Sequence, residues 1–177
     1  MKSRIAPTLM LMTVVFLPLA ASGEDASGPA PVVSGDEIAK ALKPGTASRT
    51  RGLSRRSDTP PAPMSINLNI PFQYNSSTLQ PQASDQLKQL ELALTSDSLR
   101  NDRFVVAGHT DAKGNAQYNK QLSLKRAESV RRFLIANGVA TGRLDAIGYG
   151  SEQPLTPDHP EDAANRRVEI RDLGPAQ

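Results

Sequence analysis

From Met64 onward, hydrophobic and polar positions follow the rhythms of regular secondary structure. "SINLNIPF" sets Ile66, Leu68, Ile70 and Phe72 against polar neighbours, the period-two signature of a half-buried strand. "LQPQASDQLKQLELAL" then spaces Leu87, Leu90, Leu92 and Leu94 for a helix packed on a sheet. "DRFVVAGHT" predicts a second strand, rich in Val and Phe and ended by Gly108. "LSLKRAESVRRFLIANGV" predicts a second helix, with Ala127, Val130, Phe133 and Leu134 on one stripe. Ser123 reads as its N-cap and Asn137-Gly138 as its stop. "RLDAIGYG" and "NRRVEIRDL" give two more strands on either side of a proline-rich loop. The order β-α-β-α-β-β over residues 64–175 predicts an α+β domain, a two-layer sandwich with helices packed on a mixed sheet.

The texture before Met64 is different. Residues 1–23, "MKSRIAPTLMLMTVVFLPLAASG", combine Lys2 and Arg4 with an apolar run from Leu9 to Ala21 and small residues after it. A spanning helix needs roughly twenty apolar residues, so the segment reads as a secretory signal peptide, with an uncleaved anchor as the alternative. Residues 24–63 are rich in Pro, Ser, Gly and Arg and have no aromatic residue. Such a stretch buries too little surface to offset its ordering entropy, and it reads as a flexible linker. Within it, "SGDEIAKALK" offers a turn or two of helix, marginal in isolation.

Composition narrows the function classes. The chain has no cysteine, so an exported fold must rely on an apolar core, and no thiol is present to carry a lipid or act as nucleophile. The 21 Lys+Arg and 18 Asp+Glu become 19 against 18 once Lys2 and Arg4 leave with the signal segment. The basic excess lies in the linker, in "RTRGLSRR", and nothing in the domain concentrates positive charge as nucleic-acid binding requires. Only two histidines occur, His109 and His159. His159 sits in "TPDHPEDAA" without ligand spacing, and no serine has a nucleophile-elbow pattern, so no catalytic residue, metal or cofactor is expected. His109 reads as packed beside a strand end. Gly114 is expected to supply a positive backbone angle in the turn after the second strand. Arg167 and Glu169 read as solvent-side positions of the last strand.

"GHTDAKGNAQYN", "LSLKRAESV", "NGVATGRLDAIGYG" and "NRRVEI" follow one another in that order. Together they resemble the OmpA C-terminal-like family, the periplasmic domains of OmpA, the Pal lipoprotein and MotB, from about Ile66 to Leu173. The resemblance implies non-catalytic binding of peptidoglycan through the diaminopimelate of the stem peptide. It also implies a periplasmic protein, peripheral to the outer membrane, with an outer-membrane or envelope protein as a further partner. A free diaminopimelate end is a small zwitterion, so it asks for one anionic and one cationic group; arginine's planar fork suits the carboxylate. Carried over residue by residue, Asp111 takes the ammonium and Arg126 the carboxylate. Thr110 and Asn119 add hydrogen bonds, and Arg166 completes a cationic wall. Without the other motifs, Asp111 and Arg126 read more simply as a structural salt bridge. Asn75, Ser76 and Ser77 sit at a strand-to-helix junction close to this site. The chain departs from the family at Glu161-Asp162-Ala163-Ala164, where many members have a Gly-Arg pair. The rival reading is an interaction module docking through the basic linker.

Overall fold

The computed structural model describes residues 31–43 and 64–175. The expected signal segment and the basic run of the linker lie outside the described residues. Helix α1 (Gly35–Leu42) comes first, followed by strand β1 (Ser65–Leu68), helix α2 (Ala83–Thr95) and strand β2 (Asp102–His109). Helix α3 (Ala116–Ala136), strand β3 (Leu144–Gly150) and strand β4 (Val168–Pro175) complete the order, with short 3-10 turns at Thr141–Arg143 and Ala163–Asn165. The sheet runs β1-β4-β2-β3. β2 and β3 pair in parallel because α3 carries the chain back across one face between them. β4 lies antiparallel to both β1 and β2. This is the α+β arrangement of helices on a mixed sheet that the hydrophobic pattern predicts.

The core lies between that sheet and the helices. Leu68, Phe104, Val106, Leu144, Val168 and Ile170 project from the strands and meet Leu87, Leu90 and Leu94 of α2 and Ala127, Val130 and Leu134 of α3. Pattern and structure differ in three places here. β1 stops at Leu68 and the following alternation becomes a turn, since Pro71 has no N–H to continue a ladder. Phe72 instead bridges Leu79. Leu92 is exposed, because it stands two residues from Leu90 and so on the other side of the helix. α3 begins a turn and a half before Leu122. Its N-cap is Asn115, whose side chain accepts the Tyr118 N–H at 3.0 Å, and Ser123 is buried inside the helix rather than capping it.

The largest correction concerns the linker. Its residues 33–43 are part of the folded unit. Ser34 and Glu37 form a reciprocal capping box at the start of α1, and Ile38 and Leu42 are fully buried in the core. Gln86 of α2 clamps the Val33 backbone: its Oε1 accepts the N–H at 2.8 Å and its Nε2 donates to the carbonyl at 3.1 Å. Gln89 Oε1 accepts the Gly35 N–H at 2.9 Å. A helix of this length is marginal alone, and packing on α2 is what stabilises it. Ile38→Ala or Leu42→Ala is expected to lower unfolding stability by about 2–5 kcal/mol, as for other buried aliphatic truncations. Urea melts of a chain beginning at Ala62 should show the same loss. Equal midpoints with and without residues 31–43 would contradict this assignment.

Candidate functional site

The site is built where α3 lies closest to the sheet. A Cβ on Gly108 would run into the backbone of Ser123, and one on Gly148 into the backbone of Leu124. Glycine at both positions lets the helix settle directly on β2 and β3. Ser123 Oγ then accepts the Gly150 N–H at 2.8 Å and donates to the Lys120 carbonyl at 2.8 Å. The Thr110 N–H donates to the Gly150 carbonyl at 2.9 Å. These contacts bring together the loop after β2, the middle of α3, the lead-in to β4 and the turn after β1. Between them is a cleft of about 220 Å³ whose walls include Phe72, His109, Arg126, Arg166 and Arg167.

Asp111 stands at the start of that loop with its side chain 13% exposed. Its Oδ2 accepts from Arg166 Nη1 at 2.8 Å and its Oδ1 from the Lys113 N–H at 3.3 Å. Gly114 turns the loop with φ of 85°, the left-handed conformation expected of it. Asn119 is buried in the first turns of α3 and donates from Nδ2 to the carbonyls of Lys113 at 2.8 Å and Asp111 at 3.3 Å. It therefore fixes the loop that carries the carboxylate. Thr110 is buried, and its hydroxyl has no partner within the protein.

Arg126 is anchored differently. Its Nε donates to the Ser76 carbonyl at 3.0 Å, and its guanidinium lies over the Phe72 ring, 5.0 Å from the centroid. Burial pushes the guanidinium down from its usual value, the nearby Arg166 adds to this, and Tyr118 and Asp111 act in the opposite direction. Asp111 and Arg126 are thus neighbours without being a salt bridge; the partner of Asp111 is Arg166. The junction of Asn75, Ser76 and Ser77 does reach the site, through the Ser76 carbonyl. Phe72 was invisible as a site residue because its alternation reads as core.

The reading of Arg167 and Glu169 as solvent-side residues is corrected. Arg167 donates from Nε to Asn67 Oδ1 at 2.9 Å and from Nη2 to the Gln153 carbonyl at 3.2 Å, leaving Nη1 buried without a partner. Glu169 has a side chain only 12% exposed and meets His109 Nε2 at 3.2 Å and Arg171 Nη2 at 3.2 Å. His109 is buried and stacks on Tyr149 with ring centroids 5.3 Å apart. The hydrogen bond from His109 draws the Glu169 carboxyl down to about 2 from the usual 4.5; burial opposes it, and Ser65 and Arg171 assist. Downstream, Asn165 is fully buried: its Oδ1 accepts the N–H groups of Leu155 and Thr156, and its Nδ2 donates to the carbonyls of His159 and Pro160. It pins the proline-rich loop from which Arg166 emerges. Among the described residues no group of three or more His, Cys, Asp and Glu is placed to hold a metal ion.

A family model described as "OmpA family" matches residues 71–167. The peptidoglycan-associated lipoprotein of Pseudomonas aeruginosa is 37% identical over 102 residues, which cover 56% of this chain and 59% of that protein. Outer membrane protein A of Klebsiella pneumoniae is 34% identical over 110 residues, covering 62% of this chain and 32% of that protein. The chain thus spans less than two thirds of the length of either relative. Among solved structures, a putative MotB-like protein from Desulfovibrio vulgaris matches with a TM-score of 0.54 and 26% identity over 64% of this chain and 74% of that one. The periplasmic domain of Helicobacter pylori MotB matches with a TM-score of 0.55 at 21% identity over 67% and 88%, a likeness of fold.

The Glu169 network has a pH signature. Because the folded carboxyl titrates below its unfolded value, its contribution is present above about 4.5 and is lost as pH falls toward about 2. Glu169→Gln is expected to lower stability at neutral pH and to flatten the loss between those two values. Acid titration of thermal melts checks it; parallel curves for the two proteins would refute the role given to Glu169.

Proposed function

The chain belongs to the OmpA family, and from that premise we propose that it binds peptidoglycan without cleaving it, through the diaminopimelate of the stem peptide. The reading places it in the periplasm, tethering the cell wall to the envelope beside the outer membrane. One observation carries it: the guanidiniums of Arg126 and Arg166 line one cleft, the Asp111 carboxylate is held beside it by Arg166, and Arg126 forms no ion pair among the described residues. The name of one relative, a peptidoglycan-associated lipoprotein, supports association with peptidoglycan, and that of another, outer membrane protein A, supports the place in the envelope.

The chemistry follows from the donors and acceptors present. Both oxygens of Asp111 retain acceptor capacity beyond their contacts with Lys113 and Arg166, so an ammonium group can be seated there. Arg126 keeps its terminal fork for a carboxylate, since only Nε is engaged by Ser76. Burial strengthens that charge-assisted contact, and the adjacent Arg166 adds positive potential that welcomes an anion. Thr110, buried beside Asp111, supports the loop through its N–H to the Gly150 carbonyl. Asn119 acts at one remove, by holding the Asp111 loop in place. Such a site binds and orients; it supplies no nucleophile or general base aimed at a scissile bond, and catalysis is no part of the proposal.

Co-sedimentation with purified sacculi, competed by free diaminopimelate, tests this. Asp111→Ala and Arg126→Ala should each weaken binding by about 2–3 kcal/mol, roughly thirty- to more than a hundredfold. Asp111→Ala also strips a largely buried carboxylate from Arg166 and is expected to cost some stability, so thermal melts of each variant are taken and binding is compared where both are folded. Arg126→Lys should fold normally and bind poorly, because a point charge does not replace a planar fork. Sacculus binding equal to wild type in both alanine variants would overturn the proposal.

A further inference from the structure

We propose that Tyr118 is a positioning residue for the site: its hydroxyl latches the turn after β1 to the start of α3 and so aims the Arg126 fork into the cleft. The inference rests on the peptidoglycan reading and deepens it, by naming what holds the cationic half of the site ready. Arginine has a long side chain with many rotamers, and ordering it on binding costs affinity unless the protein has ordered it beforehand. What orders Arg126 comes from the turn. The Ser76 carbonyl accepts from Nε at 3.0 Å, and the Phe72 ring lies under the guanidinium. Any displacement of the turn therefore re-aims the terminal nitrogens.

The turn is stiff in itself. Phe72 bridges Leu79, and Gln80 closes the base, its N–H donating to the Pro71 carbonyl at 3.1 Å and its Nε2 to the Phe72 carbonyl at 2.9 Å. Nearer the tip, the Gln73 N–H donates to the Thr78 carbonyl at 2.9 Å, and Ser76 Oγ accepts the Thr78 N–H at 3.0 Å. Such a body moves as a unit about its base, and its displacement is largest at the tip. The tip is Asn75, in the left-handed region with φ of 51°, a conformation asparagine tolerates better than most residues. There the Tyr118 hydroxyl donates to Asn75 Oδ1 at 2.7 Å. Among the described residues, this bond and that from Arg126 to Ser76 are the hydrogen bonds joining the turn to α3. Between them runs a groove of about 190 Å³, with Asn75, Ser76 and Ser77 on one side and Tyr118, Gln121 and Lys125 on the other. Close packing does not hold the tip; Tyr118 does.

Tyr118 is itself well fixed. It is the third residue of α3, and its N–H donates to the N-cap Asn115 at 3.0 Å. The next residue, Asn119, is buried and ties down the Asp111 loop. Adjacent residues of one helical turn thus hold the two halves of the site, Asn119 the carboxylate and Tyr118 the guanidinium. The Tyr118 side chain is 46% exposed and contributes little to the core, so the hydroxyl can be removed without opening a cavity.

Two variants of the full chain cut the latch from opposite sides. Tyr118→Phe removes the hydroxyl and keeps the ring. Asn75→Gly removes the acceptor, and glycine adopts a φ of 51° without strain. Each should weaken binding of free diaminopimelate roughly three- to tenfold, the effect of leaving one long side chain to be ordered on binding. The double variant should lie within about twofold of the weaker single one, because the second change finds the bond already gone. In ligand-free protein, the Arg126 Nε–H resonance should exchange with water faster in both variants, while the core amides of β2 and α3 stay unshifted. Losses that multiply in the double variant would overturn the latch, as would an Arg126 resonance that neither variant alters. Amide shifts spread through the core would make both residues merely structural and overturn it as well. A wild-type chain that does not bind diaminopimelate would reject the peptidoglycan reading, and the ligand-free spectra would still decide whether Tyr118 positions Arg126.

Discussion

Everything in the site depends on how closely α3 approaches the sheet. Side chains larger than hydrogen at Gly108 and Gly148 would push the helix off β2 and β3 and carry Arg126 away from Asp111 and Arg166. The buried hydroxyl of Ser123 locks the approach by bonding the end of β3, and the Thr110 N–H bonds the same residue from the end of β2. A packing constraint in the interior thus sets the distance between charges at the surface. Because protein interiors are close-packed, a shift of the helix cannot be absorbed locally.

The strands and the two long helices were legible because each has a partner that its own periodicity implies. A stripe on a helix and an alternating strand both announce a face to be buried, and Val106, Leu87 and Val130 are found buried together. α1 was less legible: two large apolar residues, Ile38 and Leu42, make a stripe too short to predict burial, and the glutamines that receive it lie some fifty positions away. The start of α3 was hidden for a related reason. Its first turns, "AQYNKQ", are polar because they face solvent and the Asp111 loop, so the apolar rhythm begins only after the helix does.

The site was legible as residues more than as contacts. Arg126 and Arg166 line one cleft, but Asp111 reaches it only through its ion pair with Arg166, a pairing across 55 positions that no local spacing reveals. Asn119 and Asn165 serve the site by tying down loops, a role set by which carbonyls happen to lie within reach. Glu169 shows the limit of alternation as a guide. Its position on the strand is the one expected for a face without helices, but His109, Tyr149 and Arg171 pack around it there and withdraw it from water.

The docking of α1 has a mechanical consequence. β1 is an edge strand, held along one side only by β4, and a pull delivered straight to it would unzip that ladder from its end. With α1 docked, tension arriving from the N-terminal side meets the Gln86 clamp and the Ile38–Leu42 seam first. The load passes into α2 and the interior, where many contacts must yield together. As long as that helix stays seated, the edge strand and the cleft beyond it bear none of the strain.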